Sequence, residues 1–284
     1  MTESSAGRDA PIGVFDSGIG GLTVVRALRA RLPAESIVYL GDNARSPYGT
    51  KSAETITRFA LEDAGFLVER GVKLVVVACH SASATALGEL VRRASVPVLG
   101  VIQPGARALV AATRTRRVAV IGTSATIGSA AYERALRALA PDIEIVAKAT
   151  PLFVPLAEEG WLDNEVAHAA ARRYLAGLAE ERIDALLLGC THFPLLGGPI
   201  AAVLGPQVKI IDSSEETATA AEATLRAAGL LRAGGAPRHR FYLTDLTPNF
   251  ETVGARFLGE PLGDVVRATL GEGRTGEAGK VERP

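Results

Sequence analysis

Cysteine is nearly absent: the 284-residue chain contains two. Two cysteines make a poor disulfide scaffold for a chain of this length, so reduced thiols of an intracellular protein are expected. An excess of charge of either sign is missing too. Lys and Arg number 31, Asp and Glu number 31, and the net charge is +0. A general nucleic-acid binder carries a basic excess, so that class is set aside. No apolar run approaches the ~20 residues that span a bilayer, so no membrane segment is expected. Residues 1–10 are polar and lack an apolar core, so they read as a loose tail rather than a signal peptide. Residues 271–284, rich in glycine and charge, read as a second tail.

What is present is apolar and patterned. Hydrophobic residues make up 48 % of the chain, enough for a sizeable core in one or two domains. Short apolar runs alternate with helical patterns from residue 12 to residue 258. That alternation predicts βαβ units and mainly parallel sheets.

Both cysteines fall in the same kind of place. Val75-Val76-Val77-Ala78 reads as the end of a buried strand, followed by Cys79-His80-Ser81. Leu186-Leu187-Leu188-Gly189 reads likewise, followed by Cys190-Thr191-His192. In open α/β sheets, ligands bind beyond the carboxyl ends of the strands. A lone cysteine there is often just a small buried hydrophobe. Two in matching motifs, each followed by hydrogen-bonding side chains, point to two thiols offered to one ligand. The motifs lie about one small α/β domain apart, which predicts two similar lobes with the site in the cleft between them.

Other strand ends carry polar groups as well. Asp16-Ser17-Gly18-Ile19-Gly20-Gly21 follows the first strand. Asp16 reads either as a partner for Cys79 in one crevice or as a helix cap. The loop from Gly41 to Thr50, with Pro47-Tyr48-Gly49, is longer than a strand-to-helix connection needs, which hints at ligand contact. Gly122-Thr123-Ser124-Ala125-Thr126 is a further ligand-facing turn. A zinc site built from the two cysteines and His192 is a weak match to known ligand spacings. No lysine sits at a convincing strand end for pyridoxal phosphate.

Taken in order, these motifs resemble the glutamate racemases, members of the cofactor-independent aspartate/glutamate racemase superfamily. The matches are Asp16-Ser17-Gly18 with Gly20-Gly21-Leu22-Thr23, Pro47-Tyr48-Gly49, Ala78-Cys79, and Gly122-Thr123 with Thr126. They continue through residues 151–156 with Glu158, Gly189-Cys190-Thr191-His192, and Ile211-Asp212-Ser213. The resemblance implies an α/β fold of two lobes, each a mainly parallel sheet flanked by helices. The first lobe would comprise residues 1–102 and 212–270, the second residues 103–211. It implies interconversion of L- and D-glutamate, supplying D-glutamate for peptidoglycan, in a cytoplasmic homodimer without cofactor or metal. Cys79 and Cys190 would be the acid/base pair, assisted by Asp16 and by His192 with Glu158. Cys79 would serve the D-enantiomer and Cys190 the L-enantiomer. Asp16, Ser17, Pro47, Tyr48, Gly49, His80, Ser81, Thr123, Thr126, Thr191 and His192 would hold the substrate.

The chain departs from the family pattern at one conspicuous place. The family usually has Asn-Thr after the first cysteine, and here it is His80-Ser81. A neutral imidazole retains one donor and one acceptor. A protonated one beside Cys79 would favour the thiolate. Two alternatives follow: racemisation of aspartate or another amino acid, or a binding or regulatory protein that has lost turnover.

Overall fold

The computed structural model describes residues 5–271 and 276–280. Eleven strands form two sheets among them. The strands are β1 Ile12–Asp16, β2 Ile37–Gly41, β3 Leu74–Val77, β4 Val98–Gly100, β5 Arg117–Gly122 and β6 Glu144–Ala149. They continue as β7 Ala185–Gly189, β8 Lys209–Asp212, β9 His239–Leu243, β10 Val265–Thr269 and β11 Gly276–Lys280.

The first sheet runs β11-β10-β9-β2-β1-β3-β4. All its pairings are parallel except β10 with β11. Its central strands are apolar runs buried on both faces, as a sheet covered by helices on both sides requires. Val14 packs on one side with the helices Leu22–Arg31, Ser214–Ala227 and Phe250–Leu258. Phe15 packs on the other side with the helix Ala53–Glu69. Val75, Val76 and Val77 are fully buried, and each contributes about 1.5–3 kcal/mol. That burial seats the strand that presents Cys79.

The second sheet runs β6-β5-β7-β8, all parallel. Its alternation is equally clear. Ile121, Leu186 and Leu188 pack under the helices Phe153–Glu159 and Glu165–Glu180. Val118, Val120 and Leu187 face the helices Ile102–Ala112 and Ala131–Leu139. After β8 the chain returns to the first sheet, adding β9 beside β2 and β10 beside β9. The helix Ser214–Ala227 packs on both Leu22–Arg31 and Ile102–Ala112, so it belongs to the boundary between the lobes. No helix among the described residues is long and apolar enough to cross a membrane.

Three segments show how local chemistry shapes the fold. The chain after Cys79 forms two helices, His80–Thr85 and Leu87–Arg93, meeting at Ala86. Thr85 Oγ1 donates to the Ser81 carbonyl at 2.8 Å, and such back-bonding competes with regular helix geometry. Residues 151–160, given no element from the sequence, contain the helix Phe153–Glu159. Pro155 is tolerated because it falls in the first turn, where its missing N–H has no helical partner. Gly160, at φ 75°, closes that helix in the left-handed region. Finally, both expected tails carry structure. Residues Ser5–Asp9 are helical, and Gly276–Lys280 pairs antiparallel with β10. The open edge of β10 offers unpaired backbone groups, which outweigh the low strand propensity of that segment. The rest of the tail assignment, residues 1–4, 272–275 and 281–284, lies outside the described residues.

Candidate active site

The site grows from the carboxyl ends of β1, β2 and β3 in one lobe and β5 and β7 in the other. Asp16 ends β1 and is fully buried. Its Oδ2 accepts the Gly18 N–H at 3.1 Å, while Oδ1 has no partner among the described residues. Burial raises its carboxyl pKa, and the charge of His192 and hydrogen bonds from the Gly21 and Gly18 backbone oppose the rise. The turn after it must be glycine. A Cβ on Gly21 would lie 2.5 Å from Asp16 Cβ. A Cβ on Gly20 would lie 2.5 Å from Thr191 Oγ1 and 2.7 Å from His192 Nδ1. The first-lobe glycine turn therefore lies directly against the second cysteine motif.

Cys79 follows β3 and is 4 % exposed. Its thiol donates to Ser17 Oγ at 3.4 Å. Burial, and then the negative charge of Asp16, push the thiol up to about 12. Cys79 therefore holds its proton at neutral pH.

Cys190 follows β7 and is 7 % exposed. Its sulfur lies 3.7 Å from His192 Nδ1, and His192 Nε2 lies 3.0 Å from Glu158 Oε1. Thr191 Oγ1 is 3.4 Å from the same Nδ1. Burial disfavours the imidazolium, but hydrogen bonds to Cys190 and Glu158, reinforced by their charges, hold His192 up at about 10. The ring also meets the edge of Phe257 at 5.1 Å between centroids. Both cysteines are free.

Hydroxyls join the lobes nearby. Ser81 Oγ lies 2.9 Å from Thr123 Oγ1 and 3.4 Å from Thr126 Oγ1, and the two threonine hydroxyls are 3.0 Å apart. Thr123 also caps the helix Ser124–Gly128, accepting the Thr126 N–H. Gly49 packs so closely on Thr123 that a Cβ there would lie 2.5 Å from Thr123 Cβ. A cleft of about 480 Å³ has Gly18, Pro47, Glu158, Asn249, Phe250 and Arg256 among its lining; it adjoins the site through Gly18 and Glu158, and neither thiol lines it. That is the size range of a small-molecule site.

Two side chains expected to hold substrate have other partners. The Tyr48 ring is fully buried, and its hydroxyl contacts Asp42 and Asp63 rather than the cleft. Asn43, Ser46 and Pro47 of that loop line the cleft instead. His80 is 4 % exposed, its Nε2 lying 3.1 Å from Ser213 Oγ and its ring 6.2 Å from Tyr132. Burial pushes it down to about 3, so the protonated His80 considered from sequence does not form at neutral pH.

Sequence reasoning missed Ser213 as the partner of His80, and Asp42 and Asp63 as the partners of Tyr48. Asp42 carried a usable signal: it is an acid just beyond β2, next to Asp16 at the end of β1. Asp63 carried none, because it sits within a helix of mixed polarity.

Two mainly parallel-sheet lobes, each with a strand followed by a buried thiol that has an acid or imidazole nearby, define a bilobal α/β class of protein. Comparison with known proteins gives the class its name. Residues 22–221 match the model of the family described as Asp/Glu/Hydantoin racemase. A glutamate racemase of Geobacter metallireducens is 54 % identical over 260 residues, covering 91 % of this chain and 96 % of that protein. The crystal structure of a glutamate racemase isoform from Bacillus anthracis superposes with a TM-score of 0.89 at 40 % identity, covering 92 % of this chain and 98 % of that one. The glutamate racemase of Francisella tularensis, solved with D-glutamate, gives 0.87 at 39 % identity and the same coverage. The chain belongs to the Asp/Glu/Hydantoin racemase family.

Proposed function

We propose that the protein interconverts L- and D-glutamate by two-thiol proton transfer, without a cofactor. The observation that carries this reading is the difference between the two thiols. Cys79 is a buried thiol that keeps its proton. Cys190 stands beside a charged His192 backed by Glu158. An imidazolium beside a cysteine is the arrangement that favours a thiolate.

With L-glutamate in the cleft, the Cys190 thiolate takes the Cα proton and the Cys79 thiol delivers its own to the opposite face. The product is D-glutamate, with Cys190 now a thiol and Cys79 a thiolate. The reverse reaction exchanges the roles. To reset the site, His192 first gives its own proton to solvent by way of Glu158 and then takes the proton of Cys190, while Asp16, protonated from solvent, supplies the proton that Cys79 lacks. Charge building on the α-carboxylate needs donors fixed in advance. Ser17, Ser81, Thr123, Thr126 and Thr191 are the hydroxyls available, together with the backbone from Pro47 to Gly49. His80 and the Tyr48 ring support the site rather than touch substrate.

The relatives named glutamate racemase favour glutamate over aspartate as substrate. On this reading the protein works in the cytoplasm as a homodimer and feeds D-glutamate to peptidoglycan precursors. The deciding experiment follows α-proton exchange of L- and D-glutamate, and of both aspartates, in D₂O with no cofactor added. Exchange and inversion of glutamate support the reading. Activity confined to aspartate, or dependent on pyridoxal phosphate, overturns it.

A further inference from the structure

Beneath the Pro47-Tyr48-Gly49 loop lies a pair of buried carboxyl groups that the proton chemistry above does not use. Asp42 follows β2, and its backbone N–H donates to the Asp16 carbonyl at 2.9 Å. Asp63 belongs to the helix Ala53–Glu69. Both residues are fully buried. The Tyr48 hydroxyl sits between them, touching Asp42 Oδ2 and lying 2.9 Å from Asp63 Oδ2. Arg45 donates to Asp42 Oδ2 at 2.6 Å and to Asp63 Oδ1 at 3.2 Å, and it also pairs with Glu62. Thr244 Oγ1 donates to Asp42 Oδ1 at 3.0 Å. The charged groups facing the pair are thus Arg45 and Glu62, with Arg58 across the Phe59 ring.

Counting protons identifies the missing one. A phenol has a single O–H and can donate once. Its oxygen touches one oxygen on each of two carboxyl groups. If it donates to one, the second contact is stable only when that carboxyl carries a proton and donates back. Charge leads to the same count, because one guanidinium faces three carboxyl groups. Two neighbouring buried carboxylates do not both ionise readily. Burial raises the pKa of both Asp42 and Asp63 in agreement.

We propose that Tyr48 is a positioning residue: its hydroxyl, held between Asp42 and Asp63 carboxyl groups that share one proton, clamps the loop that sets Pro47 and Gly49 at the cleft. The clamp reaches the site along two short paths. Gly49 bears directly on Thr123, with no room for even a methyl group. Asp42 is bonded to the backbone of Asp16. Releasing the loop therefore changes how substrate is held more than how its proton moves. This rests on the reading of the cleft as a glutamate racemase site.

The test combines Tyr48→Phe with Asp63→Asn, which supplies a neutral group where the shared proton would be. Y48F should raise KM for both glutamate enantiomers about tenfold while kcat changes less than about threefold. Adding D63N to Y48F should raise KM by less than about threefold beyond Y48F alone, the non-additivity expected of groups in one network. Should Y48F fail to fold, D63N alone carries the test. Wild-type KM should climb at alkaline pH as the shared proton is lost, and D63N should flatten that climb. Carbon-13 labelling of aspartate gives a readout apart from activity: one buried carboxyl of the wild type should read as protonated at neutral pH. An unchanged KM in Y48F, a loss confined to kcat, an alkaline climb that D63N leaves intact, or two ionised carboxylates in the carbon spectrum would each overturn the proposal. A wild-type protein without glutamate racemisation overturns the functional reading instead, and the carbon spectrum still decides the shared proton.

Discussion

Asp16 and His192 belong to different lobes, yet each lies within the other's electrostatic reach. The positive charge of His192 lowers a carboxyl pKa that burial raises. The Gly20 turn makes this possible, because its bare Cα lies against Thr191 and His192. The two groups are therefore electrostatically linked, and a change of charge on one side is felt on the other.

Replacing either thiol should separate exchange from inversion. Cys79→Ser and Cys190→Ser should each lower kcat for racemisation by about 10²–10⁴-fold, the usual worth of a positioned acid or base. Cys79→Ser keeps Cys190 and should still wash the α-proton of L-glutamate into D₂O without inverting it. Cys190→Ser should do the same for D-glutamate only. Proton NMR in D₂O with chiral analysis reads both. Full racemisation by either variant would exclude the two-thiol scheme.

The His192 relay sets an alkaline limit. The folded imidazole titrates at about 10, against ~6.5 in an unfolded chain. The folded state therefore binds the extra proton between those values. Its stabilisation is complete below about pH 6.5 and is lost as pH rises through about 10. Glu158→Gln removes one of the groups holding the proton, so the alkaline limb of the pH–rate profile should move to lower pH. Melting temperatures of wild type and variant should diverge below that limb and converge above it. An unmoved limb would show that Glu158 does not act through His192.

His80 behaves in the opposite sense. It titrates at about 3 in the folded state because burial penalises its charge, so the unfolded chain binds the proton first. The stabilisation is present above about pH 6.5 and is lost as pH falls toward 3. His80→Asn should soften that acid destabilisation in a melting series. It should leave the shape of the pH–rate profile between pH 6 and 9 unaltered. A displaced profile would mean that the imidazole titrates beside Cys79 after all.

Gly20→Ala should be far more damaging than an ordinary surface change. Its methyl group would sit 2.5 Å from Thr191 Oγ1 and 2.7 Å from His192. Overpacking of this kind costs about 1–3 kcal/mol, and here the displacement falls on the residues beside Cys190. A drop in kcat/KM of at least about tenfold is expected, with a lowered Tm. Gly88→Ala, where a Cβ meets nothing within 4 Å, is the matching control.

Much of this was legible in the chain. Strand ends are readable because apolar runs stop abruptly at Asp16, Cys79 and Cys190. The two-lobe plan followed from two such runs carrying matching cysteine motifs. What stayed hidden depended on side-chain direction or long-range partners. Tyr48 stands in a ligand-facing loop, yet its ring turns inward because Asp42 and Asp63 meet its hydroxyl there. His80 follows a reactive cysteine but reaches Ser213, a residue far away in sequence. The helix carrying Glu158 was obscured by Pro155, which breaks a helix except in the first turn, where it stands here.

Of the three contacts among the hydroxyls of Ser81, Thr123 and Thr126, the two made by Ser81 cross between the lobes, and the third joins the two threonines within one lobe. On the proposed function, a carboxylate entering among them can only accept hydrogens, so a hydrogen that served a Ser81 contact and turns to the carboxylate is withdrawn from the seam. The grip on the amino acid and the grip between the lobes are thus rivals for the same hydrogens. Departure of the product is favoured in turn, because the seam recovers what the ligand gives up.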